Sequence, residues 1–291
     1  MLILVRWLSR RSLRFLHGLG AALGWLAYLA SASYRRRLDD NTALAGVSSA
    51  DRRASVAEAG KLAAELPRLW LRPAGAPIED PLRWDGDALL SELIGVGRGL
   101  VLLTPHMGSF EMAAQAYAQR FGARQPMTVL YRPARQAWLR ELEASARARP
   151  GLATAPATLT GVRQMLRALK RGETVGLLPD QVPPEGLGTW APFFGQPAYT
   201  MTLAARLVQQ TGAAVAVAWC ERLARGSGYV VHIRRMPEAL PSPDDAADDE
   251  ARQQAEAGAI NRSMEAVIRE CPRQYLWGYH RYKAPRAPAA A

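Results

Sequence analysis

The sequence predicts an α/β fold, with a mainly parallel central sheet covered by helices and an N-terminal membrane-attachment helix. Short apolar runs alternate with segments of helical periodicity through most of the chain, which is typical of a parallel sheet. Apolar residues make up 49% of the 291 residues, enough for a sizeable core. An uncharged apolar run near the N-terminus lies between arginines, which is typical of a segment that meets a membrane.

The apolar run extends from Phe15 to Ser33 and, at about 1.5 Å per residue, barely reaches across a bilayer core of about 30 Å. Residues 1–37 contain seven arginines and no acidic residue, so much of the net charge of +11 flanks this run and favours anionic lipid over nucleic acid. This segment could span the bilayer or lie in its interface, because arginines at both of its ends do not set its orientation across the membrane. Ser9-Arg10-Arg11 also resembles a twin-arginine export signal, but Arg35-Arg36-Arg37 would oppose translocation.

Residues 38–283 are predicted as one α/β domain, and residues 284–291 as a disordered tail. Two cysteines, Cys220 and Cys271, have neither a metal-binding spacing nor a disulfide framework and are predicted to be buried thiols. The predicted strands are 99–104, 127–131, 174–178, 213–219 and 229–235. The predicted helices are 109–121, 134–147, 160–171, 199–211 and 249–270.

The first predicted strand of the sheet leads directly into polar residues. Pro105 cannot extend the strand, so His106 and Glu111 lie where the strand turns into a helix. A carboxylate there can hold one ring nitrogen of the histidine and leave the other free to accept a proton. The alternative is a strand-end histidine bonded to backbone and an unrelated glutamate favoured by the helix dipole.

Polar residues also follow the next two predicted strands. Arg132 follows the strand 127–131 and should lie at the same sheet edge as His106 if the two strands are parallel neighbours. Its guanidinium suits a phosphate, a carboxylate or a developing oxyanion, and an ordinary surface position is the alternative. Asp180 lies just beyond the end of the third predicted strand, 174–178. The loop 182–197 that comes next is rich in proline, glycine and aromatic residues, and we expect either a binding loop or a local extension of the core.

Two basic segments allow two interpretations each. The helix 160–171 has an apolar face opposite Arg163, Arg167, Lys170 and Arg171, which predicts either a solvated surface or a dock for an acidic partner or lipid headgroups. The segment 274–283 mixes aromatic and basic residues, which suits a membrane interface or a return of the chain onto the sheet.

Five blocks of sequence in this order make the chain resemble the late (lauroyl or myristoyl) lipid A biosynthesis acyltransferases of the lysophospholipid acyltransferase superfamily. The resemblance covers nearly the whole chain. Ser109 and Phe110 depart from it, since asparagine and tryptophan are common there, and Tyr279-His280-Arg281 stands in place of His-Arg-Arg. The blocks are Thr104–Glu111, Tyr131-Arg132, Pro179-Asp180-Gln181, Ala191–Gly195 with Thr200, and Gln274–Lys283.

The resemblance implies an acyltransferase at the cytoplasmic face of the bacterial inner membrane. The donor would be an acyl-carrier-protein thioester and the acceptor a hydroxyl of a lipid A precursor, with neither metal nor cofactor. His106 would be the general base oriented by Glu111, and Arg132 and Asp180 would line the substrate site. Another acceptor (a lysophospholipid, ornithine lipid or glycolipid) fits the same blocks. A non-catalytic, membrane-tethered lipid-binding or carrier-docking protein is the alternative of a different class.

Overall fold

The N-terminal part of the chain is helical. The structure, a computed structural model, describes residues 2–131, 149–242 and 247–287. The first helices are Leu2–Ser9 (α1), Leu13–Ala30 (α2), Ala32–Leu44 (α3) and Ser49–Trp70 (α4). The predicted apolar run corresponds to α2, which ends at Ser31 because the side chain of that residue accepts from the N–H of Tyr34 and caps α3.

A seven-stranded sheet follows in the order β1-β9-β8-β2-β5-β3-β4. All neighbouring strands are parallel except β8 and β9, so the predicted mainly parallel sheet is confirmed. The strands are Leu82–Asp85 (β1), Leu100–Leu103 (β2), Met127–Tyr131 (β3), Leu152–Pro156 (β4), Thr174–Leu177 (β5), Ala214–Arg222 (β8) and Tyr229–Arg235 (β9), with a separate hairpin of Gly188–Phe193 (β6) and Gln196–Met201 (β7).

Helices cover both faces of the sheet. They are Asp87–Gly95 (α5), Phe110–Phe121 (α6), Leu159–Lys170 (α7), Leu203–Thr211 (α8) and Asp249–Glu270 (α9). Alternate residues of β2 enter the two layers: Val101 packs among α7, α8 and α9, and Leu102 packs among α5 and α6. Every residue of β2 and β5 is therefore buried, as in a central parallel strand.

The sequence prediction missed or misplaced several elements for local reasons, and two predicted segments stay untested. The strands β1 and β4 are short and partly exposed, so no continuous apolar run marked them. Part of the predicted loop 182–197 forms the β6–β7 hairpin, and the helix predicted from residue 199 begins only at Leu203 because residues 196–201 are a strand. The predicted helix 134–147 and the last residues of the predicted tail, 288–291, lie outside the described residues.

The helices α2 and α4 pack with their backbones in close approach. Gly20 and Gly24 of α2 face Gly60 of α4, and a Cβ on Gly20 would lie 2.6 Å from the Cα of Lys61. No side-chain motion can relieve a contact with backbone atoms, so these positions require glycine. The buried stripe of α2, which includes Leu13 and Leu16, therefore lies directly on α4.

We predict that Gly20→Ala lowers the free energy of unfolding by about 1–3 kcal/mol, because the added methyl forces α2 and α4 apart. Gly18 lies two residues away with nothing near its missing Cβ, and Gly18→Ala should stabilise the chain by about 0.5–1 kcal/mol through helix propensity. Denaturant unfolding of both variants measures the difference. Equal effects of the two substitutions would contradict this packing.

Candidate functional site

His106 and Asp180 form a hydrogen-bonded pair at the carboxyl ends of two adjacent strands. The Nδ1 atom of His106 lies 2.7 Å from one carboxylate oxygen of Asp180. The backbone N–H of His106 donates to the other oxygen at 2.9 Å. The carboxylate thus holds both the ring and the main chain of the histidine, which fixes the orientation of the imidazole.

The register of the sheet explains this pair. β2 and β5 are parallel neighbours with Leu103 opposite Leu177, and the N–H of Thr104 extends the ladder to the Leu177 carbonyl at 2.9 Å. His106 and Asp180 lie at equal distances beyond these partners, so the two chains leave the sheet side by side. β5 lies between β2 and β3, so β3, which precedes Arg132, is not the neighbour of the strand that carries His106.

The charge state of Asp180 determines which ring nitrogen of a neutral His106 carries the proton. Asp180 is only 1% exposed, and burial alone would raise the pKa of its carboxyl. The nearby His106 and Arg281 outweigh burial and lower that pKa below its ordinary value. An ionised carboxylate can only accept hydrogen bonds, so Nδ1 of a neutral His106 carries the proton and Nε2 is the free base.

The C-terminal segment closes over the His106 loop. Gln274 and Leu276 bind the loop main chain: the N–H of Gly108 donates to the Gln274 carbonyl at 3.0 Å, and the N–H of Leu276 donates to the His106 carbonyl at 3.1 Å. Tyr275 is buried beside Asp180; burial first, and then that carboxylate, raise the pKa of its phenol well above the usual value. The segment 274–283 therefore returns onto the sheet, one of its two predicted alternatives.

Gly108 allows the loop to turn against the end of β8. Its φ of +58° lies in the left-handed region, and a Cβ there would meet the carbonyl oxygen of Cys220. The next residue, Ser109, donates its N–H to that same carbonyl at 2.7 Å and is the N-cap residue of α6. The loop is therefore fixed on one side by the C-terminal segment and on the other by β8.

A buried ion cluster lies behind this loop. Arg222 at the end of β8 contacts Glu58 and Glu65 of α4 at 3.1 and 3.2 Å, and the side-chain amide of Gln274 bonds both the N–H and the carbonyl of Arg222 at 2.9 Å. Glu65 also accepts from His17 of α2 at 3.1 Å. Burial opposes ionisation of Glu65, but Arg222 and His17 lower the pKa of its carboxyl. The cluster therefore joins the N-terminal helices to the segment that holds His106.

A cavity of about 510 Å³ lies beside the pair and has His106 and Glu111 in its wall. This volume is within the range of about 300–1,000 Å³ that small-molecule sites occupy. The rest of the wall is mostly apolar and comes from α6, β3, α7, α8 and the loop after β5; it includes Phe110, Val129, Val162, Leu178, Leu187 and Leu203.

The structure brings three of the four predicted site residues to this edge. Glu111 is buried in the first turn of α6 and lines the cavity. Asp180, which the sequence predicted only as a residue of the substrate site, contacts Nδ1 of His106. The role of Glu111 itself stays a prediction. Arg132 lies outside the described residues. His280 is exposed.

Arg281 and its polar partners were missed by sequence reasoning. Its guanidinium is buried and donates to the Thr200 hydroxyl at 2.7 Å and to the Tyr199 carbonyl at 2.6 Å. Asn261 of α9 donates to the same hydroxyl at 2.9 Å. Burial lowers the pKa of this arginine, while Asp180 and nearby tyrosines oppose the shift. In the sequence, Arg281 stands out only as a basic residue among the aromatic residues near the C-terminus. That pattern does not indicate which residues it contacts.

The remaining predicted segments lie around the site. The basic residues of α7 are all exposed, and Arg171 pairs with Glu173. In the hairpin, Phe193 and Phe194 enter the core, Trp190 stays about half exposed, and the preceding residues 182–184 line the cavity.

Both cysteines are buried and unpaired, as predicted. Within the described residues, no group of histidine, cysteine and acidic side chains could hold a metal ion.

Comparison with known proteins identifies relatives of this chain. The family profile described as bacterial lipid A biosynthesis acyltransferase matches residues 1–284. The chain is 28% identical over 187 residues to a lipid A biosynthesis palmitoleoyltransferase and to a lipid A biosynthesis lauroyltransferase, both of Escherichia coli K12. A lipid A biosynthesis acyltransferase of Shigella flexneri has the same identity. These matches cover 64% of this chain and 56% of each relative, a little over half of its length.

The geometry predicts the tautomer of His106. A neutral imidazole that faces an ionised Asp180 should carry its proton on Nδ1, and its Nε2 should be unprotonated. Side-chain ¹⁵N NMR of labelled protein measures this, with His106→Gln to assign the signal among the four histidines. A neutral His106 with its proton on Nε2 would contradict the pairing.

Proposed function

The chain belongs to the bacterial lipid A biosynthesis acyltransferase family, and on that premise we propose that it moves a fatty acyl chain from an acyl-carrier-protein thioester to a hydroxyl of a lipid A precursor. The observation that carries the proposal is the His106–Asp180 pair in the wall of an apolar cavity. The reaction takes place at the cytoplasmic face of the inner membrane, where the carrier protein and the lipid precursor meet. It uses no metal or cofactor, because a thioester is attacked readily once the hydroxyl is activated.

His106 acts as the general base. A lipid hydroxyl is hardly ionised at neutral pH, so its oxygen attacks the thioester carbonyl as Nε2 of His106 takes its proton. The tetrahedral intermediate then collapses, the C–S bond breaks, and the departing sulfur receives the same proton from Nε2. An ester and a free carrier thiol result, and His106 returns to its neutral form. The acceptor supplies the nucleophile, so the protein needs no nucleophilic serine or cysteine.

The two carboxylates have different tasks in this proposal. Asp180 orients the ring, fixes the tautomer with a free Nε2 and stabilises the imidazolium that forms. Glu111 lines the cavity on the following helix, where its charge adds to the stabilisation of the imidazolium. We keep Arg132 as the predicted ligand for a phosphate or for the oxyanion.

The cavity suits the donor acyl chain. Its wall is formed largely by leucine, valine, methionine and phenylalanine side chains, and a saturated chain gains free energy in proportion to the apolar area it buries. The thioester carbon of a chain inserted there would lie beside His106 in the cavity wall. An apolar chain site next to a base favours an acyltransferase over a lipid-binding protein without catalysis, because simple binding requires no oriented imidazole.

The basic face of α7 is proposed to receive the carrier protein. Val162 of α7 lines the cavity, and its neighbour Arg163 is exposed together with Arg167 and Lys170. Acyl carrier proteins are acidic, so these bases speed the encounter of the carrier protein with the helix that lines the cavity.

The catalytic prediction concerns three variants. His106→Ala should lower turnover by about a hundredfold or more, the usual scale for loss of a general base. Asp180→Asn should also lose on the order of a hundredfold, because an amide favours the wrong tautomer. Glu111→Gln should lose less than His106→Ala, since it removes a charge without removing the base. Transfer from acyl-carrier-protein thioester to detergent-dispersed lipid A precursor measures all three.

Circular dichroism and thermal unfolding provide the folding control for these variants. Near-normal turnover of a folded His106→Ala variant would refute the proposed mechanism. Substitution of lysophospholipid, ornithine lipid or glycolipid for the lipid A precursor tests the acceptor, and faster transfer to one of them would assign that alternative.

The donor prediction uses charge reversal. Arg163→Glu with Arg167→Glu should raise the KM for acyl-carrier-protein donor severalfold and leave a short acyl-thioester analogue nearly unaffected, with a smaller difference at high salt. The matched control, Arg53→Glu with Arg124→Glu, reverses two exposed charges elsewhere and should change neither donor. An altered KM for the lipid acceptor with both donors would instead assign these bases to acceptor phosphates.

A further inference from the structure

We propose that the outer faces of α1 and α2 form an in-plane docking surface for an anionic lipid bilayer, and that α2 does not cross it. This inference is independent of the proposed acyl transfer. It concerns the two topologies that the apolar run from Phe15 to Ser33 leaves open.

The outer face of α2 is apolar along its length, and no part of the chain that the structure describes covers it. Phe15, Leu26 and Leu29 share one side of the helix, and Leu26 and Leu29 are 62% and 66% exposed. Trp7 of α1 packs edge-on against Phe15 at 5.7 Å, and Ile3, one turn earlier, is 85% exposed. Such a continuous exposed apolar surface is unusual for a soluble face and typical of a membrane contact.

The inner face of α2 prevents the helix from acting as an independent span. Its glycines bring its backbone against that of α4, and His17 on the same face contacts Glu65, which is fully buried. Removal of α2 from α4 would leave the Glu65–Arg222 ion pair without His17 and without cover. A crossing α2 would therefore have to take α4 with it.

The composition of α4 makes that joint crossing unfavourable. This helix contains charged residues along most of its length, and a bilayer core penalises each of them. They are Asp51, Arg52, Arg53, Glu58, Lys61, Glu65 and Arg68. At about 1.5 Å per residue, the 18 residues of α2 also fall short of a hydrocarbon core of about 30 Å.

The charges around the apolar face identify the partner as an anionic bilayer. Arg6, Arg10 and Arg14 are exposed at the N-terminal end of the surface, and Arg36 is exposed beyond its C-terminal end. Residues 1–37 contain no acidic residue to offset them. Arginines at both ends of one apolar face fit a helix that lies flat, since both ends then meet the headgroups of the same leaflet.

Single-cysteine labelling distinguishes the two topologies in membranes from producing cells. The native Cys220 and Cys271 are buried and leave a low background. We expect a membrane-impermeant maleimide to label Arg10→Cys, Ala32→Cys and the α5 reference Ser91→Cys from the same side of sealed vesicles. Labelling of Arg10→Cys and Ala32→Cys from opposite sides would overturn the proposal.

Vesicle binding tests the surface itself with purified full-length chain. Leu26→Glu should reduce partitioning onto phosphatidylglycerol-containing vesicles by about tenfold or more, because a charge replaces a leucine that would insert among the lipid tails. The matched control is Val96→Glu, at an apolar residue beside α5 that is 48% exposed, and it should bind like wild type. Unchanged binding of Leu26→Glu, or equal loss in both variants, would contradict the assignment of this face.

Discussion

The hydrogen bond between His106 and Asp180 is the interaction on which the site depends. It exists because β2 and β5 are parallel neighbours in one register, so both chains leave the sheet together. The carboxylate is buried yet ionised, because a histidine and an arginine lower its pKa more than burial raises it. Its position orients the ring and, in the proposed reaction, leaves Nε2 free to take the proton of the acceptor hydroxyl.

The rest of the molecule supports that bond from a distance. Gln274 connects the His106 loop to the buried ion cluster, because its main chain hydrogen-bonds to the loop and its side chain hydrogen-bonds to Arg222. Arg222 in turn holds the carboxylates of α4, and Glu65 holds His17 of α2. The helices that we assign to the membrane surface are thus connected through buried charges to the loop that carries His106, the proposed base.

The sequence predicted the location of the candidate site better than the hydrogen-bond partners of its residues. The parallel sheet, the strand before His106 and the first turn that carries Glu111 follow from local apolar patterns. Strand order does not follow from such patterns. The sequence left open whether the strand before Arg132 is the neighbour of the strand before His106, and the structure places β5, which precedes Asp180, between them. Arg281 and Gln274 acquire their partners from residues far away in the chain, and no local pattern encodes such contacts.

Base-assisted acylation of a lipid A precursor can be measured in cells. Mass spectrometry of lipid A and phospholipids would compare strains with the gene, without it, and with His106→Ala in its place. We expect both altered strains to lose one ester-linked acyl chain from lipid A while their phospholipids stay unchanged. Unchanged lipid A in both strains, or a change confined to phospholipids, would contradict this activity.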